Sequence, residues 1–397
     1  MSHLRIAIPL AATAAVAPFA LDTYLPSFPL MAETFGVTAH EVSLSVSVYI
    51  LMLAVGQLVG GPMADRVGRS RVMLAGLVLF VLSSLAITQV QQLGVLNALR
   101  AVQAFGGGFL MVCVPAMVRD RVHGSEAAKM FSLIGLMMVA APAIAPSIGA
   151  FLLRWGWPAI FYFLAAYGLL VIIVLRVTLF REGFLARAAH DSSAPKAAQL
   201  SAMMRYATVL KTSGAVRYVF LQGFLFTVMI LFVTHASFIY QTHFNVTNAT
   251  FGLLFGANIV MMWIAMMANR ILLGYFPSKV LLKCAICLQM LAVSALVLSA
   301  TLDLSIFFYA PALIMTVGMI GVTSPNCHAC YMDYFAANGA TAAAVMGAMQ
   351  FGLSGCLSAL STLLPESLLS ITIMQLACSL VAVGLIMWPK AAPQRAA

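Results

Sequence analysis

Apolar runs of membrane-spanning length recur along the whole sequence, and this feature most constrains the fold. About twelve runs of roughly 17 to 25 mainly apolar residues are present, and a run of that length crosses the hydrocarbon core of a bilayer as a helix. Hydrophobic residues fill 63% of the 397 positions and charged residues 8%, about a third of the charge of a soluble globular protein. We therefore predict an all-α polytopic membrane protein with twelve transmembrane helices.

The basic residues fall almost entirely on one side of the predicted spans. If the N-terminus is inside, all but Arg100 and Arg154 of the 21 Lys and Arg residues lie in inside loops or tails. This distribution satisfies the positive-inside rule and predicts that both termini are cytoplasmic. It also accounts for the net charge of +10, so the basic character does not indicate a nucleic-acid partner.

The first span has the outline of a secretory signal peptide, because Arg5 precedes an Ala-rich apolar run. Its removal would leave an odd number of spans and invert every later basic loop, so we assign Arg5 to Pro26 as the first helix. A long polar stretch follows the sixth span. We predict two pseudo-symmetric six-helix bundles, with residues 1–178 in the N-terminal bundle, 179–213 in a cytoplasmic central loop, and 214–397 in the C-terminal bundle and its short tail.

A short charged segment, Gly61 to Arg71, joins the second and third predicted spans. Glycine and proline in this segment permit a tight reversal, and its arginines hold the connection in the cytoplasm. Any short inside loop collects arginine. That tendency does not account for the joint placing of Gly61, Asp65, Gly68 and Arg69.

This loop 2-3 segment resembles the signature G-x-L-A-D-R-x-G-R-[RK] of the major facilitator superfamily, from which it departs at Met63 and Ser70. The position between the second and third spans also agrees with that family. The resemblance implies a fold of two six-helix bundles and a conformational gate. The residues that it assigns to the gate are Gly61, Asp65, Arg66, Gly68 and Arg69.

Asp22 lies in the first predicted span, where an ionised carboxylate costs on the order of 3 kcal/mol. Such a group needs a partner or a use, and the alternative is an interfacial residue that caps the chain near Pro26. Arg100 in the fourth span lies ~10 Å from the outer end of its helix, at a depth comparable to that of Asp22. An acid that alternates between protonated and ionised forms beside a fixed cation can couple proton movement to substrate movement.

Two further segments resemble the Bcr/CflA-type multidrug efflux subfamily, which are drug:proton antiporters of the bacterial inner membrane. The run from Asp22 to Pro26 is similar to their D-x-Y-L-P segment, and Arg100 with Gln103 is similar to the family's R-x-x-Q. The fifth span resembles the antiporter motif, although three of its glycines are alanine and ordinary small-residue packing is an alternative. The residues that carry this motif are Pro142, Pro146 and Gly149.

The remaining candidates concern a second proton site and a substrate cavity. Glu41 is a possible second proton site, with a solvated helix start as the alternative. A substrate cavity combines aromatic walls with a few polar groups, although aromatic residues on membrane helices more often pack or face lipid, and His235 is also compatible with a structural hydrogen bond. The cavity candidates are Tyr24, Tyr49, Gln57, Gln103, Phe232, His235, Asn258 and Gln350.

Two close cysteine pairs, Cys284 with Cys287 and Cys327 with Cys330, have spacings seen in metal sites. No loop of zinc-ribbon length surrounds either pair, so we expect no metal and no cofactor. The sequence lacks a P-loop, a nucleotide fingerprint and a hydrolytic triad, which argues against ATP-driven transport and against an enzyme.

The interpretation that unites these features is a proton-coupled antiporter that exports small amphipathic or apolar compounds such as drugs by alternating access. Its expected partners are a small-molecule substrate, protons and the lipid bilayer, and we expect a monomer. Two alternatives remain open. One is a carrier that exports or takes up an endogenous metabolite on the same fold, and the other is a non-transporting membrane sensor or assembly factor.

Overall fold

The computed structural model describes residues 4–120, 124–180, 211–335 and 339–387. Most of the predicted central loop and the predicted C-terminal tail lie outside these residues. The described residues form α-helices joined by short connections, and no strand occurs among them. The helices are α1 Leu4–Asp22, α2 Phe28–Phe35, α3 Ala39–Val67, α4 Arg69–Ile87, α5 Leu93–Arg119, α6 Gly124–Leu152, α7 Pro158–Thr178, α8 Ser213–Ser237, α9 Asn248–Leu272, α10 Ser278–Thr301, α11 Ile306–Gly318, α12 Ile320–Met332, α13 Gly339–Ser361 and α14 Leu368–Met387.

Twelve segments of the described chain are long and apolar enough to cross a membrane, which confirms the predicted fold class. Two of these spans are interrupted. The first runs over Ile6–Phe35 and contains α1 and α2, and the tenth runs over Ile306–Met332 and contains α11 and α12. A broken span exposes backbone groups inside the membrane, and these groups need partners from neighbouring helices.

The first span extends beyond Pro26, where the sequence analysis ended it. Helix α1 ends at Asp22, a short 3-10 turn covers Leu25–Ser27, and α2 continues to Phe35. Pro29 is the second residue of α2, a position where proline costs no hydrogen bond because the first amides of a helix have no partner inside it. Asp22 therefore lies near the middle of a 30-residue span.

The loop 2-3 segment is more helical than the predicted tight turn. Helix α3 continues through Pro62 to Val67, and α4 begins at Arg69. Gly68 alone separates the two helices, with φ at +101°, a backbone conformation that side chains with a Cβ rarely adopt. The reversal therefore depends on one glycine.

The described chain forms two compact units. The first contains residues 4–27, 52–120 and 124–180, and the second contains residues 28–51, 211–335 and 339–387. Residues 28–51 thus belong to the second unit by packing, while most of the predicted boundary at 179–213 lies outside the described residues. The division into two six-helix bundles stays a prediction.

Within the first unit, α1 packs against α5, α6 and α7, and α4 packs against α5 and α7. Within the second unit, α8 is the central helix and packs against α12, α13 and α14. A core cluster in the second unit includes Tyr218, Leu225 and Tyr331. These contacts bring the polar side chains of α1 close to those of α5, and those of α8 close to those of α12 and α13.

Candidate functional site

Asp22 is the last residue of α1 and is 3% exposed. The carboxylate therefore lies at the C-terminal end of a helix that stops inside the membrane span. Backbone carbonyls give this end a partial negative charge, which disfavours an ionised carboxylate and favours a neighbouring cation. The charge state of Asp22 therefore depends on the groups that lie next to this break in the span.

The cation at this break is Arg100 of α5, which is completely buried. Its Nη1 donates a hydrogen bond of 3.0 Å to the carbonyl oxygen of Ala20, two residues before Asp22. The guanidinium carbon lies 4.1 Å from the centroid of the Tyr24 ring, a cation–π distance. Arg100 is thus attached to the residues on both sides of Asp22.

A hydrogen-bonded chain continues from Arg100 across α5 to α4. Arg100 Nη1 donates to Gln103 Oε1 at 2.6 Å, and Gln103 Nε2 donates to Ser84 Oγ at 2.7 Å. Ser84 Oγ in turn donates to the carbonyl oxygen of Phe80 at 2.6 Å. This chain explains why Gln103, predicted as a cavity residue, is fully buried, and it fixes the orientation of the Arg100 guanidinium.

Helix α6 closes the other side of the break through Gly149. A Cβ placed on Gly149 would overlap the carbonyl oxygen of Thr23, the residue that follows Asp22. Pro146, one turn earlier in α6, is also buried, and Pro142 is partly buried. The segment that resembles the antiporter motif therefore packs directly against the D-x-Y-L-P segment.

The gate candidates lie where α3 meets α4. Asp65 and Arg66 are exposed, and Gly61 is partly buried. Arg69 reaches α5, where its Nη1 donates a hydrogen bond of 2.5 Å to the carbonyl oxygen of Ala116 and where the guanidinium forms an ion pair with Asp120.

Asp120 was missed by the sequence analysis. The available signal was an acidic residue inside the basic run Arg119 to Arg121. Arg69 lies at the C-terminal end of α5, where a cation is favourable, and Asp120 adds an anion to the same contact. The charged segment therefore ties the start of α4 to the end of α5.

Glu41 occupies a helix start. Its Oε2 accepts hydrogen bonds from the Thr38 amide at 2.8 Å and from Thr38 Oγ1 at 3.0 Å, while the Glu41 amide donates to Thr38 Oγ1 at 3.2 Å. This reciprocal pair is a capping box at the start of α3, and Glu41 is exposed. The geometry favours the structural alternative, and a role in proton coupling stays a hypothesis.

His235 belongs to a polar cluster of the second unit. Its Nε2 lies 2.8 Å from Ser361 Oγ, and its ring stacks on that of His40 with centroids 5.7 Å apart. His40 Nε2 donates to the carbonyl oxygen of Thr362 at 2.9 Å, while His40 Nδ1 lies 3.4 Å from Glu366 Oε1. The Thr362 carbonyl oxygen can only accept, so His40 Nε2 carries a proton. His40 Nδ1 and the Glu366 carboxylate face each other, and they repel unless a proton on one of them is shared with the other.

The other cavity candidates are packed to different degrees. Tyr49 is fully buried, and Gln57 is 9% exposed with its Nε2 lying 3.8 Å from Met111 Sδ. Phe232 is fully buried in an aromatic cluster of the second unit, in which the Asn258 Nδ2 donates to the Tyr240 hydroxyl at 3.3 Å. Gln350 differs from these because it is partly exposed.

The cysteine pairs lie on helices of the second unit. Cys284 and Cys287 are exposed, and Cys327 and Cys330 are buried. Within the described part of the chain, no group of three side chains is placed to hold a metal ion.

Twelve apolar spans, a mid-span carboxylate beside a buried arginine, and a charged connection between the second and third spans define a polytopic membrane transporter. The sequence matches the Major Facilitator Superfamily over residues 10–359. The chain belongs to this family of transporters.

Relatives and solved structures agree with this assignment. The chain is 30% identical over 345 residues to a bicyclomycin resistance protein homolog of Haemophilus influenzae, with 86% of this chain and 85% of the relative covered. It is 36% identical over 151 residues to a chloramphenicol resistance protein of Pseudomonas aeruginosa, covering 38% and 36% of the two chains. The fold is similar to that of the E. coli xylose transporter XylE, with a TM-score of 0.73, 13% identity and 97% of both chains covered.

Proposed function

We propose that this protein is a proton-coupled antiporter of the bacterial inner membrane that exports small amphipathic or apolar compounds from the cytoplasm, with both termini on the cytoplasmic side. The observation that carries the proposal is the position of Asp22 at the broken end of α1, beside the Arg100 guanidinium. Two relatives are named for resistance to bicyclomycin and to chloramphenicol, and we extend export of such compounds to this chain.

The break supplies a site whose two charge states differ in their contacts. When Asp22 is protonated, Arg100 serves mainly as the cation at the end of α1, through Ala20 and Tyr24. When Asp22 is ionised, Arg100 must also neutralise a second negative group. Because both arrangements use the same guanidinium, a substrate that binds Arg100 or occupies the space around Asp22 competes with the proton.

The energy available to such exchange is sufficient for export. One proton that crosses about 100 mV releases about 2.3 kcal/mol, and one pH unit adds about 1.4 kcal/mol. Together these correspond to a concentration ratio of a few hundred. Coupling one proton to each expelled molecule therefore supports substantial export.

Reconstitution into liposomes with an acidic lumen and an entrapped pH dye tests the proposal. Addition of chloramphenicol or bicyclomycin outside should cause uptake of the compound together with faster alkalinisation of the lumen. Uptake without any change in lumen pH would contradict proton coupling. Failure to transport either compound, with the purified protein folded, would favour the metabolite carrier or the non-transporting protein.

A further inference from the structure

A polar cluster of the second unit joins helices α8, α12 and α13. Gln222 of α8 donates through its Nε2 to Ser324 Oγ of α12 at 2.9 Å and to Gln350 Oε1 of α13 at 3.0 Å. Gln222 is 1% exposed, and its Oε1 is a buried acceptor that makes no hydrogen bond within the described residues. Such an orphan acceptor is costly unless something donates to it.

The cluster combines a buried group with accessible ones. Ser324 and Gln350 are partly exposed, and Gln350 lies in the interior of the span Ala342–Ser361. Amides and hydroxyls that face lipid at this depth are unfavourable, so the accessible side is expected to face an aqueous cavity. Gln350 accepts through Oε1 from Gln222 Nε2, so the amide N–H groups of Gln350 and the Oε1 of Gln222 supply a donor and an acceptor within one hydrogen-bonded pair of side chains.

An aromatic pair lies on the same two helices as Gln222 and Gln350. Phe226 lies one helical turn after Gln222, and Phe351 follows Gln350 in sequence. Their ring centroids are 5.2 Å apart at an interplanar angle of 78°, and both rings are partly exposed. Residues spaced by four on a helix share a face, so Phe226 is on the same side of α8 as Gln222.

The cluster has no acidic residue to hold a cation. Helices α8, α12 and α13 contain neither Asp nor Glu, and Arg217 is their single Lys or Arg residue. A donor and an acceptor side by side match an amide or a hydroxyl, each of which both donates and accepts.

We infer that Gln222, Ser324 and Gln350, with Phe226 and Phe351, form a substrate subsite for neutral compounds that carry an amide or hydroxyl group on an apolar or aromatic body. This inference rests on the proposed function for its transport role, but the binding itself does not require proton coupling. Such a subsite makes substrate binding selective, because an amide or hydroxyl of the compound donates to the Gln222 acceptor and an ion without donors does not.

Equilibrium binding to the purified full-length protein in detergent tests the subsite with two probes. Chloramphenicol is neutral and carries an aromatic ring, an amide and hydroxyls, whereas tetraphenylphosphonium is an aromatic cation without hydrogen-bonding groups. Gln222→Leu and Gln350→Leu should each weaken chloramphenicol binding by up to about ten-fold and leave tetraphenylphosphonium binding unchanged. Phe351→Ala should weaken the binding of chloramphenicol.

Gln375→Leu is the matched control, because Gln375 is a buried glutamine of the same unit that donates to the Val228 carbonyl oxygen at 2.9 Å. It should leave chloramphenicol affinity unchanged. The inference is overturned if chloramphenicol does not bind the unchanged protein, if the Gln222 and Gln350 variants bind it normally, or if they weaken both probes equally. If the variants bind chloramphenicol normally and proton-coupled export is intact, the subsite is refuted and the proposed function stands. If chloramphenicol binding depends on Gln222 and Gln350 but no protons move, the subsite stands and the proposed function is refuted.

Discussion

Arg100 donates a hydrogen bond to the carbonyl oxygen of Ala20 at 3.0 Å, so the buried cation of the site is bonded to the backbone of the helix whose last residue is Asp22. Arg100 therefore has a structural task at the break in the first span besides its electrostatic effect on the carboxylate. The two tasks lead to different expectations for the two residues, because loss of Arg100 leaves both the Ala20 carbonyl oxygen and the Asp22 carboxylate without their cation.

Arg100→Ala should be the most damaging single change at the site. It removes a buried cation together with the partner of the Ala20 carbonyl, and breaking a buried charge pair typically costs about 3 to 5 kcal/mol. Thermal unfolding of the purified protein in detergent measures the loss. Arg100→Lys keeps the charge but loses the planar group over Tyr24, so we expect partial stability and transport with a shifted pH optimum. Equal stability of Arg100→Ala and the unchanged protein would refute the structural task.

Gly149→Ala should destabilise the protein by about 1 to 3 kcal/mol and reduce transport, because the new Cβ would overlap the Thr23 carbonyl oxygen and force α6 away from the break. Gly135→Ala, in the same helix, is the matched control, since a Cβ at Gly135 meets nothing within 4 Å. Thermal unfolding and drug transport of both variants provide the comparison. Similar behaviour of the two would show that the close approach at Gly149 is not required.

Arg69→Ala should slow transport more than Arg71→Ala does. Arg69 reaches the Ala116 carbonyl and Asp120, whereas Arg71 is exposed, and both changes remove one positive charge from the same loop. Because Asp120 is 52% exposed, the ion pair itself contributes about 1 kcal/mol or less, so insertion and folding should survive. Transport rates normalised to the amount of inserted protein test this difference. Equal rates for the two variants would show that Arg69 serves only to hold the loop in the cytoplasm.

Asp65→Asn tests the gate assignment separately. Asp65 is exposed, and the family resemblance assigns it to a contact made in one conformation of the transport cycle. We expect normal insertion and ligand binding with slower transport, because loss of the charge weakens one state relative to the other. Binding and transport measured on the same preparation distinguish these effects. Unchanged transport would remove Asp65 from the gate.

Much of the fold could be predicted because span length and basic loops are dictated by the bilayer. The break at Asp22 could not, since a proline such as Pro26 fits either the end of a span or an interruption in it. The sequence predicted a pairing of Asp22 with Arg100 from depth alone. The structure joins Arg100 to the carbonyl oxygen of Ala20, two residues before Asp22, and the charge pairing itself stays a prediction.

Other contacts depend on which helix faces are neighbours, and hydropathy does not report that. Glu41 was an open choice between a proton site and a helix start, and only the reciprocal bonds with Thr38 favour the latter. The sequence analysis selected Gln57 and Gln350 as polar groups of apolar spans and missed Gln222, which is the same residue type in the same kind of span. Its importance follows from the partners that α12 and α13 bring to it.

The most direct test of the central claim, that Asp22 carries the transported proton, is ligand-induced proton release from the purified protein in weakly buffered detergent with a pH-indicating dye. On addition of chloramphenicol, the unchanged protein should release protons. Asp22→Asn should bind the compound and release none, because an amide has no proton to exchange. Glu41→Gln is the matched control, since glutamine also completes a capping box, and it should release protons normally. Undiminished release from Asp22→Asn would contradict the account, and loss of release in Glu41→Gln instead would move the proton to Glu41.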